Sequence, residues 1–134
     1  MSISTSNTTP RTEFLCKLFL EPLPNRQWVV YGQCPQSGEP MDYMVYTRTA
    51  GLLVIPAGFV CDLNSIPRLL WWASPPTDFP EAGVVHDWAY RGHLERGVAD
   101  KVYAELLDAL GASPARSAGR YMALRLFGWR AYKG

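Results

Sequence analysis

The sequence has almost no charge excess: Lys and Arg number 13 against 12 Asp and Glu, a formal net charge of +1. Chains that bind nucleic acid usually show a strong basic excess, so that class of partner is set aside. Cysteine is scarce. Cys16, Cys34 and Cys61 form an odd count with no close pair and no C-x-x-C spacing, which argues against a disulfide framework and a structural zinc site. They read as reduced, mostly buried thiols in a protein made in the cytoplasm. Long hydrophobic runs are missing too. The longest, residues 51–61, is broken by Pro56 and is far too short to span a bilayer. The first eleven residues are polar and lack the apolar stretch of a secretory signal, so residues 1–11 read as a flexible arm.

What is present is apolar sequence in short pieces. At 134 residues and 48% hydrophobic, the chain should form one domain, residues 12–134, with a core that needs neither disulfide nor metal. Residues 14–20, 27–31, 42–47 and 51–55 are rich in β-favouring residues, and turns containing Pro, Gly and Asn separate them. An antiparallel β-meander over about residues 12–61 is expected. Helical signals take over afterwards. Ser65 and Pro67 suit a helix start, and Ser74-Pro75-Pro76 would end that helix. Asp78 and Glu81 have the spacing of a capping box ahead of a helix that should stop near Gly92. Residues 98–110 repeat apolar side chains at three- and four-residue spacing up to Gly111, and Ser113-Pro114 opens a last helix. Three or four helices over about residues 65–132 follow the strands, so the class is α+β.

The chemistry-bearing residues concentrate between Gly58 and Asp100. His86 and Asp87 are neighbours on one predicted helix, so their side chains diverge by about 100° and cannot form a dyad with each other. Tyr90, four residues on, shares the face of His86. If the two helices fold into a hairpin near residue 93, His86 and Asp100 lie level, seven residues either side of the turn. Asp100 then hydrogen-bonds the imidazole and fixes its tautomer, leaving the other ring nitrogen as a base or a ligand. Asp87 stays free for a hard cation such as calcium. The alternative is a core histidine satisfied by a carboxylate. Asp62 has two readings as well: with Asn64 and Ser65 it shapes a turn and caps a helix, or it joins His86 in one cavity. Trp71 and Trp72 are adjacent, so a helix cannot bury both on one face, and one of them is read as a partner surface. His93 falls in a turn and should be exposed. The series Arg116, Arg120, Arg125 and Arg130 reads as a solvated or docking helix face.

Two resemblances rest on these residues. G-F-V-C-D-L-N-S-I-P at 58–67 followed by V-V-H-D-W-A-Y-R-G at 84–92 resembles a domain-of-unknown-function family encoded by tailed phages and prophages, over roughly residues 45–132. That resemblance implies a viral origin. A-G-V-V-H-D-W-A-Y at 82–90 followed by V-A-D-K-V-Y at 98–103 is similar to the catalytic helix pair of secreted and parvoviral phospholipases A2. It implies His86 as base, Asp87 as calcium ligand, Asp100 as the acid that orients the histidine, and Tyr90 as its hydrogen-bond partner. The expected function is a virion component or virion-associated accessory protein, made in the host cytoplasm and touching other phage structural proteins. The alternative is a hydrolase of envelope lipid or cell wall that uses His86, Asp100, Tyr90 and Asp62, with or without calcium at Asp87.

Overall fold

The computed structural model describes residues 11–24, 27–61, 79–130 and 132. Strands come first and helices after, so the class is α+β as expected. The strands are β1 (Glu13–Phe14), β2 (Lys17–Leu23), β3 (Gln27–Gln33), β4 (Pro40–Met41), β5 (Tyr43–Thr47), β6 (Gly51–Ile55) and β7 (Phe59–Cys61). They form two antiparallel sheets where one meander was expected. One sheet has the order β1-β5-β6; the other sets β2, β4 and β7 against β3.

The expected strand at residues 14–20 is split at Leu15–Cys16, where the chain leaves the first sheet for the second. The Cys16 thiol sits at this crossover and accepts the Met44 N–H at 3.3 Å, satisfying a backbone donor at the join. Close approach there also explains Gly32, the penultimate residue of β3. A side chain at that position would bring its Cβ to 2.6 Å from the Asp42 carbonyl and 2.8 Å from the Cys16 sulfur.

Alternation sets the register of the β5–β6 hairpin. Tyr43, Val45 and Thr47 point inward with Leu53 and Ile55, and Val45 pairs with Leu53. Thr47 closes the turn, its hydroxyl donating to the Gly51 carbonyl at 3.0 Å and accepting the Ala50 N–H at 2.9 Å.

Three α-helices follow among the described residues: α1 (Pro80–Trp88), α2 (Arg96–Ala109) and α3 (Pro114–Phe127). Asp78, the first residue of the expected capping box, lies outside the described residues. Phe79 occupies the N-cap position without a side-chain cap, and Pro80, which has no N–H to satisfy, opens the helix. A π-helical turn at Ala89–His93 joins α1 to α2, and Gly92 takes φ 93° there, a conformation that suits glycine. Ser113 caps α3 as expected, its hydroxyl accepting the Arg116 N–H at 3.2 Å. The helix expected near Ser65, together with Asp62, Trp71 and Trp72, lies outside the described residues.

The core lies between the inner sheet faces and the helices. Val30, Tyr43, Val45 and Ile55 meet Val84, Val85, Val102, Leu106, Leu107 and Leu124, all fully buried. Each such side chain contributes roughly 1.5–3 kcal/mol of transfer free energy. Helix α2 lies between α1 and α3 and also contacts β5, which places its residues at the centre of the domain.

Candidate acid–base site

Residues 84–87 of α1 are buried without interruption, so His86 enters the interior on a helix packed around much of its girth. The turn after Tyr90 reverses the chain, and α2 brings Asp100 back beside it. The His86 Nε2 lies 3.0 Å from Asp100 Oδ1, and the Tyr90 hydroxyl donates to the same oxygen at 2.5 Å. The hairpin expectation thus places His86, Tyr90 and Asp100 together. Ring contacts tighten the group. The imidazole centroid is 3.9 Å from that of Tyr90 and 5.0 Å from that of Tyr103.

The second oxygen of Asp100 has a partner the sequence reading missed. Arg125 of α3 donates to Oδ2 at 2.9 Å. Arg120, from the same expected solvated face, turns inward, is buried and donates to the Tyr103 hydroxyl at 2.8 Å. The reading of that arginine series as a solvated or docking face is therefore corrected at Arg120, whereas Arg125 stays exposed and reaches Asp100 from the surface. For Arg120 the cost of burial drives the guanidinium to an oxygen acceptor; for Arg125 the buried carboxylate supplies the attraction. One signal was available: Asp100 and Arg125 are nearly equidistant from the Gly111–Ser113 turn, by the same hairpin logic that joins His86 to Asp100. Arg96 adds a further clamp, donating to the carbonyls of Leu124 and Arg125 at 2.7 and 2.8 Å.

The electrostatics follow from burial. His86 is 1% exposed, and desolvation holds its pKa below the ordinary histidine value even though the Asp100 hydrogen bond and charge pull the other way. For Asp100, burial pushes upward, but donors from His86, Tyr90 and Arg125 outweigh it and hold the carboxyl below its usual range. Burial, then the Asp100 contact, pushes the Tyr90 phenol up. At neutral pH the site is an uncharged imidazole, an ionised carboxylate and an un-ionised phenol. With Nε2–H donating to Asp100, Nδ1 carries the lone pair. This nitrogen is buried and has no hydrogen-bond partner.

Asp87 points elsewhere. Its Oδ2 is 3.4 Å from Arg91, whose guanidinium also donates to the Val60 carbonyl at 3.1 Å and lies over the Phe59 ring. These contacts tie α1 to β7, the strand that ends immediately before Asp62. Among the described residues, no three His, Cys, Asp or Glu side chains gather closely enough to hold a metal ion. Among the described residues the cation that Asp87 meets is Arg91. His93 is exposed as expected and stacks on Trp88 at 4.4 Å.

No helix among the described residues is long and apolar enough to cross a membrane. No curated protein and no solved structure matches the chain. The family described as "Protein of unknown function (DUF1353)" matches residues 39–124, a span that begins in the sheet region and includes His86, Tyr90 and Asp100. On that match, covering more than half of its length, the chain belongs to the DUF1353 family.

Proposed function

We propose that this chain is a small hydrolase with His86 as general base, envelope lipid as its substrate class and a tailed phage or prophage as its setting. One observation carries the reading: the buried imidazole uses Nε2 on Asp100 and leaves Nδ1 without a partner. A buried polar atom left unsatisfied costs about 1–3 kcal/mol, and such atoms in native proteins call for an explanation such as catalysis. In the proposed step, water gives a proton to Nδ1 as its oxygen bonds to the acyl carbon of an ester. The C–O bond then breaks, and the alcohol leaves with the proton returned by His86. Asp100 steadies the imidazolium formed between the two transfers. Arg125 keeps the negative charge on that carboxylate. Tyr90 holds its shared oxygen in place. Because His86 is almost fully covered, substrate reaches Nδ1 by displacement of covering side chains. No step is routed through a metal at Asp87.

The test is release of fatty acid from phosphatidylcholine and phosphatidylglycerol, with calcium and with chelator. The wild type should release acid, and His86→Asn should lower the rate at least about a hundredfold while retaining its circular dichroism. A wild type that is inactive on both lipids, or an equally active His86→Asn, would sink the reading.

A second reading, a virion component or virion-associated accessory protein, is supported by a different surface. The outer face of β5 and β6 leaves Tyr46, Leu52 and Val54 exposed, with Leu52 at 52%. Phage structural proteins would cover such a face. On this reading the chain co-purifies with particles, Leu52→Asp lowers its incorporation, and His86→Asn does not. A chain absent from particles argues against it.

A further inference from the structure

The outward face of the second sheet carries a hollow that the acid–base site does not use. Strands β2 and β3 pair so that Phe19 lies opposite Tyr31, and Glu21 follows Phe19 on the same side of β2. The alternate positions Leu18, Leu20 and Val30 pack into the core, so these three side chains point the other way. Phe19 is 54% exposed. The turn between β3 and β4 folds over this face, where the Gln33 side-chain amide donates to the Gly38 carbonyl at 3.4 Å. Sheet and turn bound a hollow of about 400 Å³ lined by Phe19, Glu21, Tyr31, Gln33, Gly38 and Pro40. That volume is in the range of small-molecule sites.

The lining selects the ligand. Glu21 supplies its only formal charge. This carboxylate makes no hydrogen bond or ion pair among the described residues. Lys17, the outward position before Phe19, lies roughly 13 Å from Glu21 along the strand. It lines a neighbouring hollow with Cys34 and Pro35 instead. An acid without an internal cation, set beside aromatic rings, matches a positive ligand: the carboxylate attracts it and the ring faces accept it. The rest of the lining is mainly apolar. A compact ammonium is strongly hydrated and loses much on entering such a site. A cation whose charge is spread over methyl groups loses less, and its methyls pack on Phe19, Tyr31 and Pro40.

We propose that this hollow binds a small quaternary ammonium ion, with Glu21 balancing the charge and the rings of Phe19 and Tyr31 holding the methyl groups. The site shares no residue with the His86–Asp100 group, goes beyond the hydrolase reading and does not depend on it.

The experiment is an NMR titration of the isotope-labelled full chain with choline, with butylamine, and with the uncharged isostere of choline in which tert-butyl replaces trimethylammonium. Choline should shift the amides of Phe19, Glu21, Tyr31 and Gln33, and the uncharged isostere should bind at least about tenfold more weakly. Glu21→Gln keeps the shape of an exposed position and removes the charge. It should weaken choline at least about fivefold, and Phe19→Leu by a similar factor, with unchanged circular dichroism spectra. His86→Asn should bind choline like the wild type, so a failure of hydrolysis is distinguishable from a failure of this site. The proposal is overturned by no choline shift, by shifts confined to other residues, by equal binding of the isostere, or by wild-type affinity in either variant. Tighter binding of butylamine than of choline would also overturn it, and would give the hollow to a lysine side chain of a partner protein.

Discussion

Asp100 ties three elements together through one carboxylate. Its two oxygens accept from His86, Tyr90 and Arg125, on three different elements. Asp100→Ala orphans the buried Nε2–H and the Tyr90 hydroxyl together, so it should cost about 3 kcal/mol, read by urea unfolding. Tyr90→Phe removes one donor and leaves the carboxylate two, so about 1 kcal/mol is expected. Arg125 differs because its side chain is partly open to water. Arg125→Gln should leave the unfolding midpoint almost unchanged. It should raise the His86 pKa in an NMR titration, because a carboxylate freed from its cation stabilises the imidazolium more strongly. An unmoved histidine titration would detach Arg125 from the site.

At the scale of elements, two further contacts join helices to their neighbours. Gly128 opens the 3-10 turn after α3 against the ring of Tyr90, and an added Cβ would meet the phenol oxygen at less than contact distance. The phenol is held by Asp100 and has little room to yield. Gly128→Ala should therefore lower stability by about 1–3 kcal/mol by overpacking. In a Tyr90→Phe background much of that cost should disappear, since the nearest atom is gone; equal costs in the two backgrounds would refute the contact. Glu105 is the second device. It is a buried acid of α2 that accepts from the Arg48 and Thr49 N–H groups at 2.7 and 3.0 Å, from the Thr49 hydroxyl at 2.7 Å and from Thr12. It clasps the β5–β6 turn and the chain entering β1 to the helical layer. Glu105→Ala strands two backbone donors and should cost about 2 kcal/mol, with early hydrogen exchange at Arg48 and Thr49.

For the whole molecule, the buried groups set the response to acid. His86 has a pKa lowered by burial, so the unfolded chain takes up its proton first, and the histidine's contribution is complete above its unfolded value of about 6.5. It is lost as pH falls from there through the folded value. Glu105 and Asp100 have pKa values lowered by their hydrogen bonds against the opposing effect of burial. Their contributions persist to the ordinary carboxylate range and are lost below it. Unfolding free energy should therefore decline in two stages on acidification, the first beginning near pH 6.5. A His86→Gln variant should lose the first stage and keep the second. A first stage that survives in that variant would place its origin in another group.

Pattern and spacing along the chain were enough for the α+β class, the starts of α2 and α3 near residues 96 and 114, and the meeting of His86, Tyr90 and Asp100. Those features are local, or depend on a single hairpin whose turn the glycine at 92 marks. Contacts between segments far apart in sequence were not legible. The division of the strands into two sheets depends on β1 finding β5 and β7 finding β3, which alternation within a strand does not encode. The inward turn of Arg120, the reach of Arg125 to Asp100 and the clasp of Glu105 depend on which helix face meets which neighbour. A helix with apolar residues on two sides leaves that choice open, and only packing in the folded chain decided it.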